Sequence, residues 1–471
     1  MPERHHIHTA PTAARFARTG KYATVDWRED CSRCTNCVKL RCTYGVYDAA
    51  TAHDRDPSAP RQPVFECKGC MSCVQNCTKG LLSLSVNPEY LAMGDEYWRP
   101  EVIETTWNQA ETGRIPVSGA GYRGRFSGPG FDSIWTDMSE IVRPTRDGIH
   151  GREYISTAVD IGPKPMRLEF APDGQLLTPE AQLIVTQLPV LLDVPPWPMG
   201  PGTELLSRAR AAAAVALTTL AVVPMAELGG IPDDHMPAVV PLLDKGTAGP
   251  DGDLPAGVRM VEVPIGSAAS DAIRAVQSRR PDVTLCVRMP PAEDSAARML
   301  EFSAAGVKVF HTCADTHGRE PGTGRGRHIT DAMRDLHRQL VEAGRRDEIT
   351  VIVSGGVGLA EHVAKAIICG ADVTAASTSL LIALGCKVCG GPGHGVNGCG
   401  WGRSCAVVID EAAVDYAAQR MTNLMGAWHS QLIEVLGAMG IREVRRLRGE
   451  TGRAIFREDM EREAFGDLIR K

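Results

Sequence analysis

Cysteines crowd into two short stretches of this 471-residue chain, and metal binding is the chemistry that such clusters perform. Eight of the fifteen cysteines lie within residues 31–77, and four more lie within residues 386–405. A secreted disulfide protein would be short, with its cysteines spread through loop-rich sequence, and the N-terminus shows no apolar signal core. The clusters therefore indicate bound metal in a reducing compartment, which we expect to be the cytoplasm.

The eight N-terminal cysteines repeat one pattern twice, a triplet with two residues between neighbours and then a fourth cysteine. The two sets are Cys31, Cys34, Cys37 and Cys42, and Cys67, Cys70, Cys73 and Cys77. One tight loop of this spacing places three thiolates on three irons of a cubane, so the fourth ligand must come from further away. This resembles the bacterial-type ferredoxin domain, in which the fourth ligand comes from the other motif.

The ferredoxin resemblance implies two 4Fe-4S clusters that exchange their last ligands, with Cys77 completing the first triplet and Cys42 the second. The chain departs from the pattern in two ways: four residues instead of three precede Cys42, and Thr43 and Thr78 stand where the pattern has proline. We expect these changes to shift one loop without loss of a cluster. Zinc is the alternative, although its sites usually combine two Cys-x2-Cys pairs.

Residues 166–385 alternate apolar runs with helix-period segments. The runs are Val190–Val194, Leu217–Val223, Val258–Pro264, Val283–Met289, Val307–Thr312, Ile349–Ser354 and Asp372–Ala376. An eighth strand is expected either within 166–187 or around Pro237–Leu243. Strands separated by helices indicate parallel βαβ units, and seven or eight units predict an α/β fold of the (β/α)8 TIM-barrel type. An open doubly wound sheet is the alternative.

The remaining chain divides around this barrel by composition and periodicity. The predicted units are a flexible lead-in (1–25), an α+β ferredoxin-like domain (26–90), an irregular connector that wraps the barrel (91–165), the barrel (166–385), a cysteine loop (386–405) and a helical C-terminal tail (406–471). A hydrophobic content of 43% and a charged content of 23% fit a soluble globular protein. The net charge of −6 gives no reason to expect nucleic acid, and no long apolar run predicts membrane insertion.

Glycines and hydroxyl side chains follow the last two strand-like runs. Loops after the seventh and eighth barrel strands often bind phosphate, because glycine lets the backbone approach the anion. Iron–sulfur clusters transfer one electron at a time, and a flavin is the cofactor that usually links such transfers to two-electron chemistry. The sequence therefore predicts a flavin phosphate site. Its candidate residues are Ser354, Gly355, Gly356, Val357, Ser377, Thr378 and Ser379.

Residues from about 97 to 405 resemble the FMN-binding domain of glutamate synthase and the shorter glutamate synthase-like proteins that carry a ferredoxin module. The matching stretches are Tyr97–Pro100 with Ala110–Gly113, Gly162–Pro165, Ser354–Val357 and Ser379–Cys386. The resemblance implies an FMN at the C-terminal face of the barrel. It also implies a third cluster, held by the loop that begins at Cys386.

The third cysteine loop departs from the family, which usually has three cysteines separated by five and four residues around a 3Fe-4S cluster. The cysteines of this loop are Cys386, Cys389, Cys399 and Cys405. Four candidate ligands permit a 4Fe-4S cluster instead, and a tetrahedral zinc site is the alternative. Three further cysteines lie in strand or helix patterns and are expected to be buried apolar residues: Cys286, Cys313 and Cys369.

The family reduces 2-iminoglutarate with hydride from the flavin, so an acid and a base must meet the substrate at the barrel mouth. Glu227 lies in a Glu-Leu-Gly-Gly turn that resembles a family turn, and would be the carboxylate near the flavin. Arg288 stands where the family has a lysine. Arginine keeps its charge and does not readily donate a proton, but it would bind a carboxylate or stabilise an anionic reduced flavin. These two are the candidate catalytic residues.

Two functions remain open. The first is an FMN and iron–sulfur oxidoreductase that resembles the synthase subunit of glutamate synthase and reduces a 2-imino or 2-oxo acid. No Gly-x-Gly-x-x-Gly motif follows a predicted strand, so no nucleotide hydride donor is expected to bind, and electrons are expected from a ferredoxin or another redox subunit. Ammonia would come from a separate amidotransferase subunit of a hetero-oligomer. The second is an electron-transfer subunit whose FMN relays or splits electrons without making glutamate.

Overall fold

The computed structural model describes most of the barrel and its surroundings. The described residues are 5–13, 15–16, 18–26, 32, 34, 69–115, 128–136, 155–164, 168–178, 182–197, 202–245, 254–322, 326–389, 405 and 407–469. Five of the predicted metal ligands lie outside these ranges, so their role stays a prediction: Cys31, Cys37, Cys42, Cys67 and Cys399.

The strands form one large barrel and three small pairs. In chain order they are β1 Tyr22–Asp26, β2 Leu82–Val86, β3 Ile134–Thr136, β4 Val159–Ile161, β5 Ile184–Thr186, β6 Val190–Leu192, β7 Ala221–Pro224, β8 Val239–Leu242, β9 Met260–Pro264, β10 Thr284–Met289, β11 Val309–Cys313, β12 Thr350–Ser354, β13 Val373–Ala376 and β14 Ala454–Phe456. Strands β6 to β13 close into a barrel in sequence order, with β13 returning to β6. Every neighbouring pair in it is parallel, which confirms the predicted (β/α)8 fold.

The helices cover the barrel and extend into the tail. In chain order they are α1 Ser72–Gln75, α2 Pro88–Leu91, α3 Pro100–Thr112, α4 Thr203–Leu217, α5 Ala269–Arg279, α6 Ser295–Ala304, α7 Ile329–Glu342, α8 Ala360–Ile368, α9 Thr378–Ala383, α10 Val414–Ala438 and α11 Arg457–Ile469. Helices α10 and α11 confirm the predicted helical tail. In the part of the chain that the structure describes, no helix is both long and apolar enough to span a bilayer.

The eighth strand is β8, which lies at the second of the two places expected for it. It contains Pro241, and two 3₁₀ helices, Met225–Gly230 and Asp233–Ala238, connect β7 to it, whereas an α-helix connects β6 to β7. The stretch 166–187 contributes β5 instead, which pairs antiparallel with β4. Thr350 Oγ1, at the start of β12, donates to Gly162 O at 3.2 Å, so this pair covers the N-terminal end of the barrel.

The lead-in contacts α10 and α3 where it is described. Asn423 on α10 holds Ala10 through both backbone groups, with Ala10 N donating to Asn423 Oδ1 at 3.1 Å and Asn423 Nδ2 donating to Ala10 O at 2.7 Å. The Phe16 ring lies 5.1 Å from the ring of Trp107 on α3. Strand β1 then pairs antiparallel with β2, so the two ends of the cysteine-rich unit meet and the unit begins near residue 22.

The connector is more regular than predicted, because α3 forms a 13-residue helix within it. Its buried face includes Ile103 and Trp107, both at 0% relative exposure. Helix α10 packs on α3, α4 and α8, and β14 pairs with β3. The tail therefore clamps the connector against the outside of the barrel.

Candidate functional site

The C-terminal ends of the barrel strands meet at one face, the mouth, where enzymes of this fold build their active sites. All described candidate residues for catalysis and flavin binding lie at that face. Ser354 ends the seventh barrel strand, β12, and Ser377 follows the eighth, β13. Arg288 lies near the end of β10, and Glu227 lies in the 3₁₀ helix after β7.

The turn after β12 has a backbone that favours glycine. Gly355 and Gly356 have φ values of 102° and 70°, in the left-handed region that side chains rarely adopt. A Cβ on Gly355 would lie 2.6 Å from Asp315 O, so this turn runs directly against the loop after β11. Within the described chain, the backbone N–H groups of Gly355, Gly356 and Val357 find no acceptor. Such free amides are the groups that cradle a phosphate.

Ser379 provides a side-chain donor after β13, the strand that pairs with β12. It lies in the first turn of α9 and is fully buried. Its Oγ has no hydrogen-bond partner among the described residues, an unusual state for a buried hydroxyl. The free amides and this hydroxyl are donors of the kind that bind a phosphate, and the assignment of this site to a flavin stays a prediction.

A segment before α3 supports the glycine turn from outside. The Tyr97 hydroxyl donates to Gly356 O at 2.7 Å, and Trp98 Nε1 donates to Thr316 O at 2.8 Å. Asp95 fixes the segment by accepting from the backbone N–H of both Tyr97 and Trp98. Burial, and then the negative charge of nearby carboxylates, holds the pKa of Tyr97 well above its ordinary value, so its hydroxyl stays a donor.

Replacing Tyr97 by phenylalanine is expected to weaken FMN binding by about fivefold, because one buried neutral hydrogen bond contributes roughly 1 kcal/mol. Fluorescence titration of the flavin-free protein with FMN measures the effect. Tyr90→Phe is the matched control, since the Tyr90 hydroxyl donates to Glu104 at 3.3 Å and not to the turn. Equal affinities of the two variants would contradict the supporting role of Tyr97.

Arg288 is held inside the barrel by protein carboxylates. Its Nη1 and Nη2 each donate at 2.9 Å to one oxygen of Asp193, which follows β6. Nη1 also donates to Glu262 Oε2 on β9 at 3.1 Å. Glu262 Oε1 lies 2.5 Å from Nδ1 of His311 on β11. We call Asp193, Glu262, Arg288 and His311 the barrel cluster, and its internal pairing leaves Arg288 little capacity for a substrate carboxylate.

The electrostatics of the barrel cluster favour its charged forms despite burial. Burial opposes ionisation of Asp193, but Arg288 and His311 outweigh it and lower its pKa to about 2. Burial also opposes protonation of His311, but Cys313 and Glu262 outweigh it and raise its pKa to about 10. The cluster therefore balances opposite charges that are shielded from water.

Glu227 lies at the mouth without touching Arg288. Its carboxylate accepts a hydrogen bond from Ser207 Oγ on α4. Arg210 Nη2 donates to the same Ser207 Oγ at 2.7 Å, and its Nη1 donates to Asp193 O at 2.7 Å. Among the described residues, Ser207 and Arg210 connect Glu227 to the barrel cluster.

Sequence analysis did not identify Asp193, Glu262 or His311. All three are at most 2% exposed. A signal was available, since each of them lies within a run that was predicted as a strand, and Asp193 is the one charged residue of Val190–Val194. A charged residue within a buried barrel strand must have a partner, because an unpaired buried charge is too costly.

Three of the described cysteines lie close to N–H or hydroxyl groups that can donate a hydrogen bond to a thiolate. Cys34 Sγ lies 3.8 Å from Thr78 Oγ1, so the first motif approaches the residue that follows Cys77. The backbone N–H of Leu81 donates to Cys77 Sγ at 3.3 Å and is the main reason that the Cys77 pKa is lowered. Cys386 is buried at the end of α9 and accepts from Val388 N at 3.4 Å. Nothing in this arrangement distinguishes iron from zinc.

Comparison with known proteins gives consistent matches. A family model described as the conserved region in glutamate synthase matches residues 323–442. An archaeal-type glutamate synthase (NADPH) of Dehalococcoides mccartyi is 24% identical, covering 90% of this chain and 93% of its own. One from Thermotoga sp. is 26% identical over 89% and 91%, and an archaeal glutamate synthase (NADPH) of Methanocaldococcus jannaschii is 27% identical over 90% and 92%. Among solved structures, the flavin-binding domain of baker's yeast flavocytochrome b2 aligns at 10% identity over 77% of this chain and 80% of its own, with a TM-score of 0.41, too low to support an argument.

Proposed function

We propose that this glutamate synthase-like chain, which is similar to archaeal-type glutamate synthases over nine tenths of its length, is an FMN and iron–sulfur oxidoreductase. It passes electrons between ferredoxin-type clusters and an FMN at the barrel mouth to reduce a 2-imino or 2-oxo acid. The observation that carries the proposal is the glycine turn after the seventh strand, whose amides are free, together with the unpartnered Ser379 hydroxyl after the eighth.

Each element at the mouth has a separate part in the proposed activity. The amides of Gly355–Val357 and the Ser379 hydroxyl hold the phosphate, and Tyr97 fixes the turn that presents those amides. When bound, FMN supplies hydride transfer and accepts single electrons. Arg288 keeps a positive charge at the mouth, and the link from Asp193 through Arg210 and Ser207 holds the Glu227 carboxylate in place.

The cysteine motifs support the electron route in this proposal. Because Cys34 lies beside Thr78, the two ferredoxin motifs are close enough for Cys77 to complete the first cluster. The matched region 323–442 includes both the glycine turn and the third cysteine loop from Cys386. A third cluster there would lie directly after α9, whose first turn contains Ser379. The proposed partners are a ferredoxin or redox subunit as donor and an amidotransferase subunit as source of ammonia.

The alternative function is an electron-transfer subunit whose FMN relays or splits electrons. One observation favours it: the guanidinium of Arg288 is bound by Asp193 and Glu262, so the position that would deliver a proton in the synthase holds a saturated cation. Both functions use the same cofactors, so they differ only in what the reduced flavin does.

An anaerobic assay separates the two functions. The full chain is supplied with dithionite-reduced ferredoxin, 2-oxoglutarate and ammonia, and glutamate formation is measured alongside flavin oxidation. Glutamate formation supports the synthase function. Flavin that cycles without glutamate would reject the synthase function and leave the electron-transfer one. Cofactor content of the same sample is expected to be about eleven or twelve irons and one FMN per chain.

Replacing Cys70 by serine is expected to remove one 4Fe-4S cluster, because Cys70 is the middle ligand of the second triplet. Iron content should fall by about four per chain, while FMN content stays unchanged. Iron analysis and low-temperature electron paramagnetic resonance of the reduced protein measure the loss. The control is Cys369→Ser, since Cys369 is buried at the end of α8. Unchanged iron in the Cys70 variant would show that this motif does not hold a cluster.

A further inference from the structure

Inside the barrel, a carboxylate, an imidazole and a thiol converge on one point. One ligand atom from each of Asp193, His311 and Cys313 lies within 4.8 Å of the other two. His311 Nε2 and Asp193 Oδ2 are 3.9 Å apart. From this geometry we propose that Asp193, His311 and Cys313 bind one zinc ion at the base of the barrel mouth. The site is separate from the cysteine motifs and does not depend on the flavin.

The strongest reason is the unsatisfied ring nitrogen of His311. The residue is 0% exposed, yet its Nε2 has no hydrogen-bond partner in the described structure. Buried polar nitrogen is costly unless it is bound, and neutral imidazole is a common zinc ligand. The other ring nitrogen, Nδ1, lies 2.5 Å from Glu262 Oε1. A carboxylate on the far side of the ring is the usual partner of a zinc-bound histidine, because it keeps the proton on Nδ1 while the metal takes the place of the proton on Nε2.

The other two ligands have capacity for the same ion. Asp193 Oδ2 accepts one hydrogen bond from Arg288, which leaves a lone pair on the side of His311. Cys313 is half-buried, so the thiol adjoins the mouth and not the closed core. Zinc bonds of about 2.0–2.3 Å place tetrahedral ligand atoms roughly 3.5 Å apart, so a small inward movement of these side chains closes the site.

The local charge also matches one divalent cation. With zinc bound, Asp193, Glu262 and the Cys313 thiolate carry three negative charges against the single positive charge of Arg288. One zinc ion neutralises that excess of two, which matters in a site removed from water. Three protein ligands leave a fourth position for water or a substrate oxygen, the arrangement typical of a catalytic zinc site and not of a structural one.

A second cluster in the chain shows why His311 is distinctive. Asp132, Glu361 and His362 also bring ligand atoms within 4.8 Å of one another. There, however, Gly358 N donates to His362 Nδ1 at 3.2 Å, and His362 Nε2 lies 3.1 Å from Asp132 Oδ1. Both ring nitrogens are therefore used within the protein, and His362 has no free lone pair for a metal.

The test is X-ray absorption at the zinc edge on the full chain, purified anaerobically from zinc-supplied cells. About one zinc per chain is expected, with one sulfur ligand near 2.3 Å and the remaining nitrogen or oxygen ligands near 2.0–2.1 Å. A zinc held by the loop at Cys386 would instead show three or four sulfur ligands. That result, or a chain without zinc, would overturn the proposal. Since this measurement uses the unmodified protein, it does not depend on a variant that folds.

Single substitutions test which side chains bind the zinc ion. Cys313→Ser and His311→Gln are each expected to lower zinc content at least fivefold, whereas Cys369→Ser and Cys386→Ser retain it. Zinc that persists in Cys313→Ser and is lost in Cys386→Ser would reject the barrel site. Failure of the zinc site leaves the flavin and iron–sulfur proposal intact, because FMN and iron content are measured separately in the same samples.

Discussion

Replacing Asp372 by asparagine will destabilise the folded chain by about 3–5 kcal/mol, because it breaks a buried ion pair from one side. Asp372 precedes β13 at the N-terminal end of the barrel and is 8% exposed. Its Oδ2 accepts from Arg346 Nη2 at 2.8 Å and from Val351 N at 2.8 Å, and its Oδ1 accepts from Arg448 Nη1 at 2.9 Å. The carboxylate thus joins β12, β13 and the tail.

The loss of stability arises from the guanidinium of Arg346, which remains buried in the variant. Arg346 is 3% exposed, and its other donors are committed to Ile349 O and Gly370 O. An asparagine cannot neutralise that guanidinium, so the variant buries a positive charge without its counter-ion. Because the side chains of aspartate and asparagine have nearly the same volume, lost packing contributes little to the difference in the free energy of unfolding.

Urea unfolding followed by tryptophan fluorescence measures the loss, since Trp98, Trp107 and Trp428 are all buried against the barrel or its covering helices. The matched control is Asp347→Asn. Asp347 pairs with the same Arg448 at 2.5 Å, but its side chain is 79% exposed, and exposed pairs contribute little. A variant at Asp372 that loses no more stability than the Asp347 control would contradict the buried-pair argument.

The same carboxylate predicts a pH dependence with a definite sign. Burial raises the pKa of Asp372, but Arg346, Lys164 and Arg448 outweigh it and hold that pKa far below its ordinary value. A depressed folded-state pKa contributes stability that is fully present above the unfolded value of about 3.9 and is lost as pH falls. The stability difference between the unmodified chain and Asp372→Asn should therefore narrow below about pH 4. A constant difference down to pH 3 would contradict this assignment.

The barrel was predictable because the spacing of apolar residues differs between its strands and its helices, and the two patterns alternate over a long stretch. Seven of its eight strands, among them β12, lie within largely apolar runs that the sequence shows, so their number and order follow from the pattern. Strand β8 was only one of two possibilities, since it has four residues, contains Pro241 and follows 3₁₀ helices without a helical period. Whether a short proline-containing segment forms a strand depends on its neighbours in the sheet and not on the β propensity of its own residues.

The residues of the candidate site also differ in how far the sequence alone could predict them. Residues whose proposed role depends on backbone geometry, such as Gly355 and Gly356, were predicted because glycine after a strand is a local signal. The barrel cluster was found only in part, since Arg288 was recognised without Asp193 or His311. These residues lie on different strands and come together only when the barrel closes. Pairing across a closed barrel is a long-range property that one strand's sequence does not contain.

Replacing Gly355 by alanine will reduce the FMN content of the purified protein more than tenfold. The residue has φ 102°, and an added Cβ would lie 2.6 Å from Asp315 O, 2.7 Å from Ala314 Cβ and 2.9 Å from Ala314 C. All three atoms belong to a backbone or begin a side chain, so none can rotate away. The turn must therefore shift, and the amides that it presents to the phosphate shift with it.

Gly344→Ala separates backbone strain from displacement of the turn. Gly344 also has a left-handed φ, 66°, but a Cβ there would meet nothing within 4 Å, and it lies beyond the end of α7, away from the mouth. Both substitutions cost roughly 1 kcal/mol in strain, whereas only Gly355→Ala moves the proposed phosphate site. Flavin released by acid and measured per mole of folded protein distinguishes them. Equal FMN content in the two variants would mean that the turn after β12 does not hold the phosphate, and the flavin would then have to bind elsewhere at the mouth.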